Sequence, residues 1–402
     1  MIFNPERHEP LRPEGWDAER ARDLIERIAA ETEAAFLPGQ GWPAHREDTR
    51  SPTPLQGLYF GDAGVHWALH TLQARGAVQL DNDYVQSIAE LRGLEEGEPG
   101  SYLMGEMGAL LLRQWLQPDA RTAGLLAEHI ASNLDHPARE LMWGAPGSLL
   151  AALFLHRATG EAQWAELFVQ SARKLWSQLL WSDAEQCHYW TQDLYGRTST
   201  YLDAVHGFVA TASPLIAGRD LLQPQEWQDW QQCITNTIVR NAEWDGPLAN
   251  WRAHMDSPRG QPMLMQYCHG APGFVICLAD SPDAALDDVL RAAGEATWQA
   301  GPLRKGSNLC HGTGGNGYAF LKLYRRFGDK VWLGRARAFA MHGIAQTEQA
   351  RQEYGQWRHS LWTGDQGFAI YLLDCIEARD GFPTLDVFFP SAGVPASPGV
   401  PA

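Results

Sequence analysis

Apolar residues are spaced along the chain in two ways. Over residues 165–181, Leu167, Phe168, Leu175, Trp176 and Leu179 share one helical face, with Glu166, Gln170, Arg173 and Lys174 opposite. That is the 3.6-residue period of an amphipathic helix. Residues 148–156 (SLLAALFLH) are apolar nearly all round, as expected of a helix enclosed on every side. The two textures alternate, and the all-round apolar runs open on two glycines three apart. The copies are Gly61-Asp-Ala-Gly64, Gly105-Glu-Met-Gly108, Gly144-Ala-Pro-Gly147, Gly270-Ala-Pro-Gly273, Gly312-Thr-Gly-Gly315 and Gly364-Asp-Gln-Gly367. A seventh, Gly207-Phe-Val-Ala210, ends in alanine.

One such tetrapeptide carries no meaning, but seven in order predict an architecture: outer amphipathic helix, connection, glycine pair, inner buried helix. Strand signals are weak throughout. The alternation predicts an all-α protein closing as an α/α toroid, a double-layered barrel of about seven inner and seven outer helices. Small residues let inner helices and the loops before them approach closely, and the seven loops should converge on one end. Residues 1–50 read as an N-terminal segment with the first outer helix and 51–385 as the toroid. Residues 386–402, rich in Pro and Gly, read as a disordered tail. First glycines lie 63, 63 and 52 residues after their predecessors at copies four, five and seven. The extra length falls at 182–205, 241–267 and 352–362, which are rich in Trp, Tyr, Arg and His. These are expected either as a rim around the mouth or as ordinary connecting loops.

Composition narrows the class. Lys and Arg total 32 against 48 acidic residues, a formal charge of −16 over 402 residues. That balance opposes nucleic acid and anionic membrane as partners. No apolar run reaches the roughly 18 residues of a membrane span, and the first residues lack the layout of a secretory signal. The expectation is a soluble, cytoplasmic protein. Six cysteines are too sparse for a disulfide scaffold, and Cys187, Cys233, Cys277 and Cys375 read as buried thiols.

Cys268 and Cys310 differ. The dipeptides before the glycine pairs are, in order, Tyr59-Phe60, Leu103-Met104, Met142-Trp143, Val205-His206, Cys268-His269, Cys310-His311 and Trp362-Thr363. In a ring, equivalent positions of successive copies are neighbours, so Cys268 and Cys310 should lie side by side with His206, His269 and His311 in reach. Thiolate and imidazole are preferred ligands of zinc, at about 2.0–2.3 Å. The 42-residue separation matches no zinc-finger spacing, so this expectation rests on repeat register alone. The other reading is two reduced cysteines packed near helix starts. With several donors available, register leaves open whether such a site is structural or catalytic.

At these residues the chain resembles the lanthionine synthetase C-like (LanC-like) family. The resemblance lies in Gln266-Tyr-Cys-His-Gly-Ala-Pro-Gly273, Asn308-Leu-Cys-His-Gly-Thr-Gly-Gly315, Glu140-Leu-Met-Trp-Gly144, Tyr201-Leu-Asp-Ala-Val-His-Gly207, Gly301-Pro-Leu-Arg-Lys-Gly306 and Ser360-Leu-Trp-Thr-Gly364. It runs from about residue 57 to 375 and extends to Phe3-Asn4-Pro5. It implies one zinc held by Cys268, Cys310 and His311, with His269 outside the ligand set. It also implies addition of a thiol, either a cysteine of the same peptide or glutathione, to dehydroalanine or dehydrobutyrine. His206 becomes the candidate for proton transfer, Glu140 an acidic partner, and Arg304 with Lys305 a basic pair for glutathione or phosphate. Three departures bear on glutathione use: Ala210 ends the fourth pair, no arginine precedes Phe3, and Tyr267 stands where tryptophan is commoner. Two alternatives remain beside the enzyme: a non-catalytic protein binding zinc and glutathione, and a carbohydrate-processing toroid using Asp62, Glu106 or Asp365.

Overall fold

The computed structural model describes residues 1–49, 55–91 and 100–390, so the expected tail from 391 lies outside the described residues. Among the described residues fourteen α-helices alternate between two layers. The outer layer is α1 (Ala18–Ala35), α3 (Val85–Glu90), α5 (Ala120–Ser132), α7 (Ala162–Ser177), α9 (Pro224–Asn241), α11 (Asp287–Ala300) and α13 (Lys330–Tyr354). The inner layer is α2 (Asp62–Ala74), α4 (Glu106–Leu116), α6 (Ala145–Thr159), α8 (Phe208–Ala217), α10 (Ala271–Leu278), α12 (Thr313–Phe327) and α14 (Asp365–Glu377). Each inner helix begins directly after the first glycine of its pair, which serves as N-cap. Four outer helices, α1, α5, α9 and α13, start instead on side-chain caps. Asp17 accepts from the backbone N–H of Glu19 and Arg20, and Gln223 and Glu226 form a capping box around Pro224.

Burial follows the two textures. Every residue of α10 is buried, whereas α7 buries one stripe of Trp164, Phe168, Ala172 and Leu175. The ring closes on itself, because α14 packs against α2 and the outer helix α1 packs on α14. Close approach explains the second glycine of a pair. A Cβ on Gly273 would stand 1.9 Å from the Tyr267 carbonyl oxygen and 2.5 Å from Ala204 Cβ, one copy back. At the seam a Cβ on Gly64 would stand 2.8 Å from Leu361 Cβ of the last copy.

Two features add to the pattern read from the sequence. The long insertions hold short antiparallel hairpins: β1 (Leu180–Ser182) with β2 (Cys187–Tyr189), β3 (Gln192–Leu194) with β4 (Arg197–Ser199), and β5 (Glu243–Asp245) with β6 (Leu248–Asn250). Three-residue strands are too short to leave an alternating pattern in sequence. Ordered packing also continues past residue 385. Asp386 pairs with the buried Lys322 at 3.0 Å, and Phe388 is fully buried against Trp67 and Phe154.

Candidate active site

The loops before the inner helices are tied to one another by their backbones. Tyr59 N–H donates to the Leu103 carbonyl (3.1 Å), Leu103 to Met142 (3.2 Å) and Leu141 to Val205 (3.3 Å). Cys268 donates to Cys310 (3.0 Å), Cys310 to Trp362 (2.9 Å) and Trp362 back to Tyr59 (3.2 Å). Between copies four and five the link changes: Val205 N–H turns to Asp203 Oδ1 at 3.0 Å, and the Tyr267 hydroxyl donates to the Ala204 carbonyl at 3.0 Å. Cys268 and Cys310 thus occupy equivalent, adjacent places, as repeat register requires.

Both sulfurs are buried and hydrogen-bonded to each other. Hydrogen bonds from Cys268 and then Tyr59 lower the Cys310 pKa despite burial, while burial and the neighbouring sulfur push the Cys268 thiol well up. Of the two, Cys310 is the sulfur whose surroundings ease loss of the proton. Gln266 Nε2 also donates to Cys268 Sγ at 2.9 Å, and Gln266 Oε1 is buried with no hydrogen-bond partner among the described residues. His311 shares the rim, and burial, then the charges of Lys305 and Arg358, push its pKa down to about 4. Among the described residues no three His, Cys, Asp or Glu side chains are drawn together as a ready-made metal site. The structure brings the two sulfurs together and leaves His311 outside hydrogen-bonded contact with them.

Next to the sulfurs lie two acid–imidazole pairs built on one plan. Glu140, completely buried, accepts from the N–H groups of Met142 (2.9 Å) and Trp143 (2.6 Å), and its Oε2 meets His206 Nδ1 at 2.9 Å. Asp203, also completely buried, accepts from Val205 and His206 N–H (3.0 and 2.7 Å), and its Oδ2 meets His269 Nδ1 at 2.7 Å. Each acid stands four residues before its own first glycine and holds the histidine of the following copy. Burial opposes charge on both imidazoles, but the carboxylates outweigh it. The His206 pKa is raised, chiefly by the hydrogen bond and charge of Glu140, and Asp203 leads in lifting His269 to about 9. Asp203 and Tyr59 were not singled out as site residues in the sequence. Their signal was positional: Asp203 shares the register of Glu140, and Tyr59 that of the two cysteines.

A cavity of about 680 Å³ opens beside the sulfurs, lined among others by Tyr59, His311, Arg304, Lys305, Glu353 and Arg358. Both members of the expected basic pair reach its wall. Arg304 is partly committed, since its Nε donates to the Glu6 carbonyl at 3.1 Å and its N–H to that of Arg7 at 3.0 Å. Arg358 is paired with Asp48. Arg304 and Lys305 are both exposed on this wall. Glu140 and His206 do not line this cavity; they stand further round the ring. The carboxylates proposed for a carbohydrate site are spent on structure. Asp62 accepts from Trp42 N–H, Asp365 from Arg358 N–H, and Glu106 pairs with His129.

The same toroid is found in nisin cyclase, whose solved structure superposes with a TM-score of 0.61 at 16% identity, covering 90% of this chain and 95% of that one. The family described as lanthionine synthetase C-like protein matches residues 11–387. The chain belongs to that family. Relatives include the protein named glutathione S-transferase LANCL1 of Danio rerio, 26% identical over 270 residues, and the LanC-like protein GCL1 of Arabidopsis thaliana, 28% identical over 267. Each match covers 62% of this chain, and 62% and 58% of those proteins respectively, so the chain spans about three fifths of the curated relatives it matches. No helix among the described residues is long and apolar enough to cross a membrane.

Proposed function

We propose that the protein catalyses zinc-dependent addition of a thiol to dehydroalanine or dehydrobutyrine residues of a dehydrated peptide, forming a thioether. The observation that carries this reading is the contact of Cys268 with Cys310 beside the Glu140–His206 pair. The donor set suits zinc: two soft sulfurs, one with its pKa drawn down by its neighbours, with a neutral imidazole, His311, on the same rim. Cys268, Cys310 and His311 would hold the ion, and when bound it would supply a Lewis acid that favours the thiolate form of the incoming thiol.

The remaining work falls to the chain. The thiol sulfur bonds to the β-carbon of the alkene, and the alkene pair moves toward the α-carbon and its carbonyl as an enolate. The protonated His206 delivers a proton to the α-carbon, and the proton lost by the thiol restores the balance. Glu140 holds His206 through Nδ1, which leaves Nε2 to exchange protons with substrate. The incoming thiol is either glutathione or a peptide cysteine. Lys305 on the cavity wall favours glutathione, because its ammonium suits a carboxylate.

A second reading is a non-catalytic protein that binds zinc and glutathione. One observation favours it: the cavity excludes Glu140 and His206, so a thiol could lodge there without meeting the proton-transfer pair. The test is mass spectrometry of a dehydroalanine peptide incubated with glutathione and the metal-analysed protein. A mass gain of one glutathione supports the enzyme. Glutathione binding without a gain supports the second reading.

A further inference from the structure

Tyr195 stands at the tip of the β3–β4 hairpin and is 67% exposed. Its turn is of the two-residue type, with φ of 53° at Tyr195 and 73° at Gly196. Such turns prefer Asn, Asp or Gly where this one carries tyrosine, and a left-handed tyrosine stores strain. The hairpin is nevertheless fixed at its base, on the loop that carries Glu140. Arg139 donates to the Thr191 carbonyl (2.7 Å) and hydroxyl (2.9 Å), Asp193 N–H to the Pro137 carbonyl (3.1 Å), and Tyr201 N–H to Gln192 Oε1 (2.7 Å).

The ring so presented meets Trp143 edge-on at 5.8 Å and His206 edge-on at 6.0 Å. Trp143 runs nearly parallel to His206, with 10° between the planes and 6.1 Å between centroids. Two aromatic walls therefore stand beside the histidine, at right angles to each other.

We propose that Tyr195 and Trp143 form a seat for an aromatic or large apolar residue of the peptide substrate, two positions from the dehydroresidue that reacts beside His206. This rests on the thioether-forming reading of the site. An extended chain advances about 3.4 Å per residue, so the 6 Å from His206 to the aromatic walls spans two residues, and alternate side chains point the same way. Walls held rigid before binding lose little freedom on contact, and crossed rings accept a third in offset or edge-on geometry.

The experiment uses two dehydroalanine peptides that differ only two positions from the reacting residue, one with phenylalanine and one with glycine. Their kcat/KM ratio is measured for the wild type and for Tyr195→Asn, a residue the turn accepts. Wild type should prefer phenylalanine about three- to tenfold, the range one aromatic contact carries, and Tyr195→Asn should bring the ratio close to one. Equal use of both peptides by the wild type, or an unchanged ratio in the variant, overturns the seat. Binding of the matching alanine peptides, read by tryptophan fluorescence, separates this from the reaction itself. If no thioether forms, the same preference in Kd upholds the seat while the catalytic reading falls, and its absence overturns the seat.

Discussion

Copies one to three and copies four to six of the loop ring share a backbone and differ in what they present. The first group offers Tyr59-Phe60, Leu103-Met104 and Met142-Trp143; the second offers Val205-His206, Cys268-His269 and Cys310-His311. The ladder of carbonyl contacts runs through both arcs with one break, between copies four and five, so the backbone alone does not set them apart. What distinguishes them is the pair of residues two and one before each glycine, while the two acids four before it, Glu140 and Asp203, stand one in each arc where the arcs meet. The apolar arc closes the barrel end and the polar arc concentrates sulfur and imidazole. Chemistry here is a matter of side chains set into equivalent places, which is why one substitution in one arc should do what the same substitution in the other does not.

The largest expected effect is Cys310→Ala, which should abolish thioether formation and retention of zinc, measured by peptide mass and metal analysis. Leu103→Ala at the equivalent apolar place should cost only stability, about 2–5 kcal/mol for a buried leucine. Next, Glu140→Gln should lower kcat by about 10²- to 10⁴-fold, the usual weight of an acid–base pair. The proton-donating form of His206 exists below its pKa, so the rate should fall as pH rises through that raised value. Without the carboxylate, burial dominates and the falling limb should move to lower pH in the pH–rate profile.

Gly273→Ala should destabilise the fold by about 1–3 kcal/mol or more in denaturant unfolding, since its Cβ would meet a carbonyl oxygen at 1.9 Å. Ala210→Gly, at the one pair that already tolerates a side chain, should cost about 1 kcal/mol, the helix propensity difference. A pH-dependent effect is expected from Asp203→Asn. The pair with His269 contributes stability that is complete below about pH 6.5 and is lost as pH rises through about 9. The gap in Tm between wild type and variant should therefore be wider at pH 7 than at pH 10. Smallest is Lys305→Ala, expected to raise KM for glutathione several-fold and leave KM for the dehydrated peptide near its original value.

The toroid was legible because packing demands glycine where a neighbouring copy's backbone and side chain close in, as at Gly273, and that demand recurs with every copy. The placing of Cys268 beside Cys310 followed from the same recurrence. The Asp203–His269 pair was not legible as a pair: its members lie 66 residues apart, and one aspartate among many carries no local mark. Where the N-terminal segment docks was not legible for a related reason. Phe3 bridges to Met263 and His8 to Leu303, contacts that no short-range pattern announces. The hairpins escaped because residues such as Leu248, Ala249 and Asn250 do not alternate, and only a turn such as Tyr195-Gly196 hints at the reversal.

The hydrogen bond from Trp362 to Tyr59 joins places about 300 residues apart, and it has a consequence for how the molecule comes to exist. An open solenoid can gain stability unit by unit as it leaves the ribosome. Here the first unit waits for the last, so a nascent chain must carry an uncovered apolar flank through most of translation, the kind of surface that chaperones shield. Excising one whole unit, a change that open solenoids commonly survive, would leave a gap on the circumference that no remaining pair of neighbours is shaped to fill.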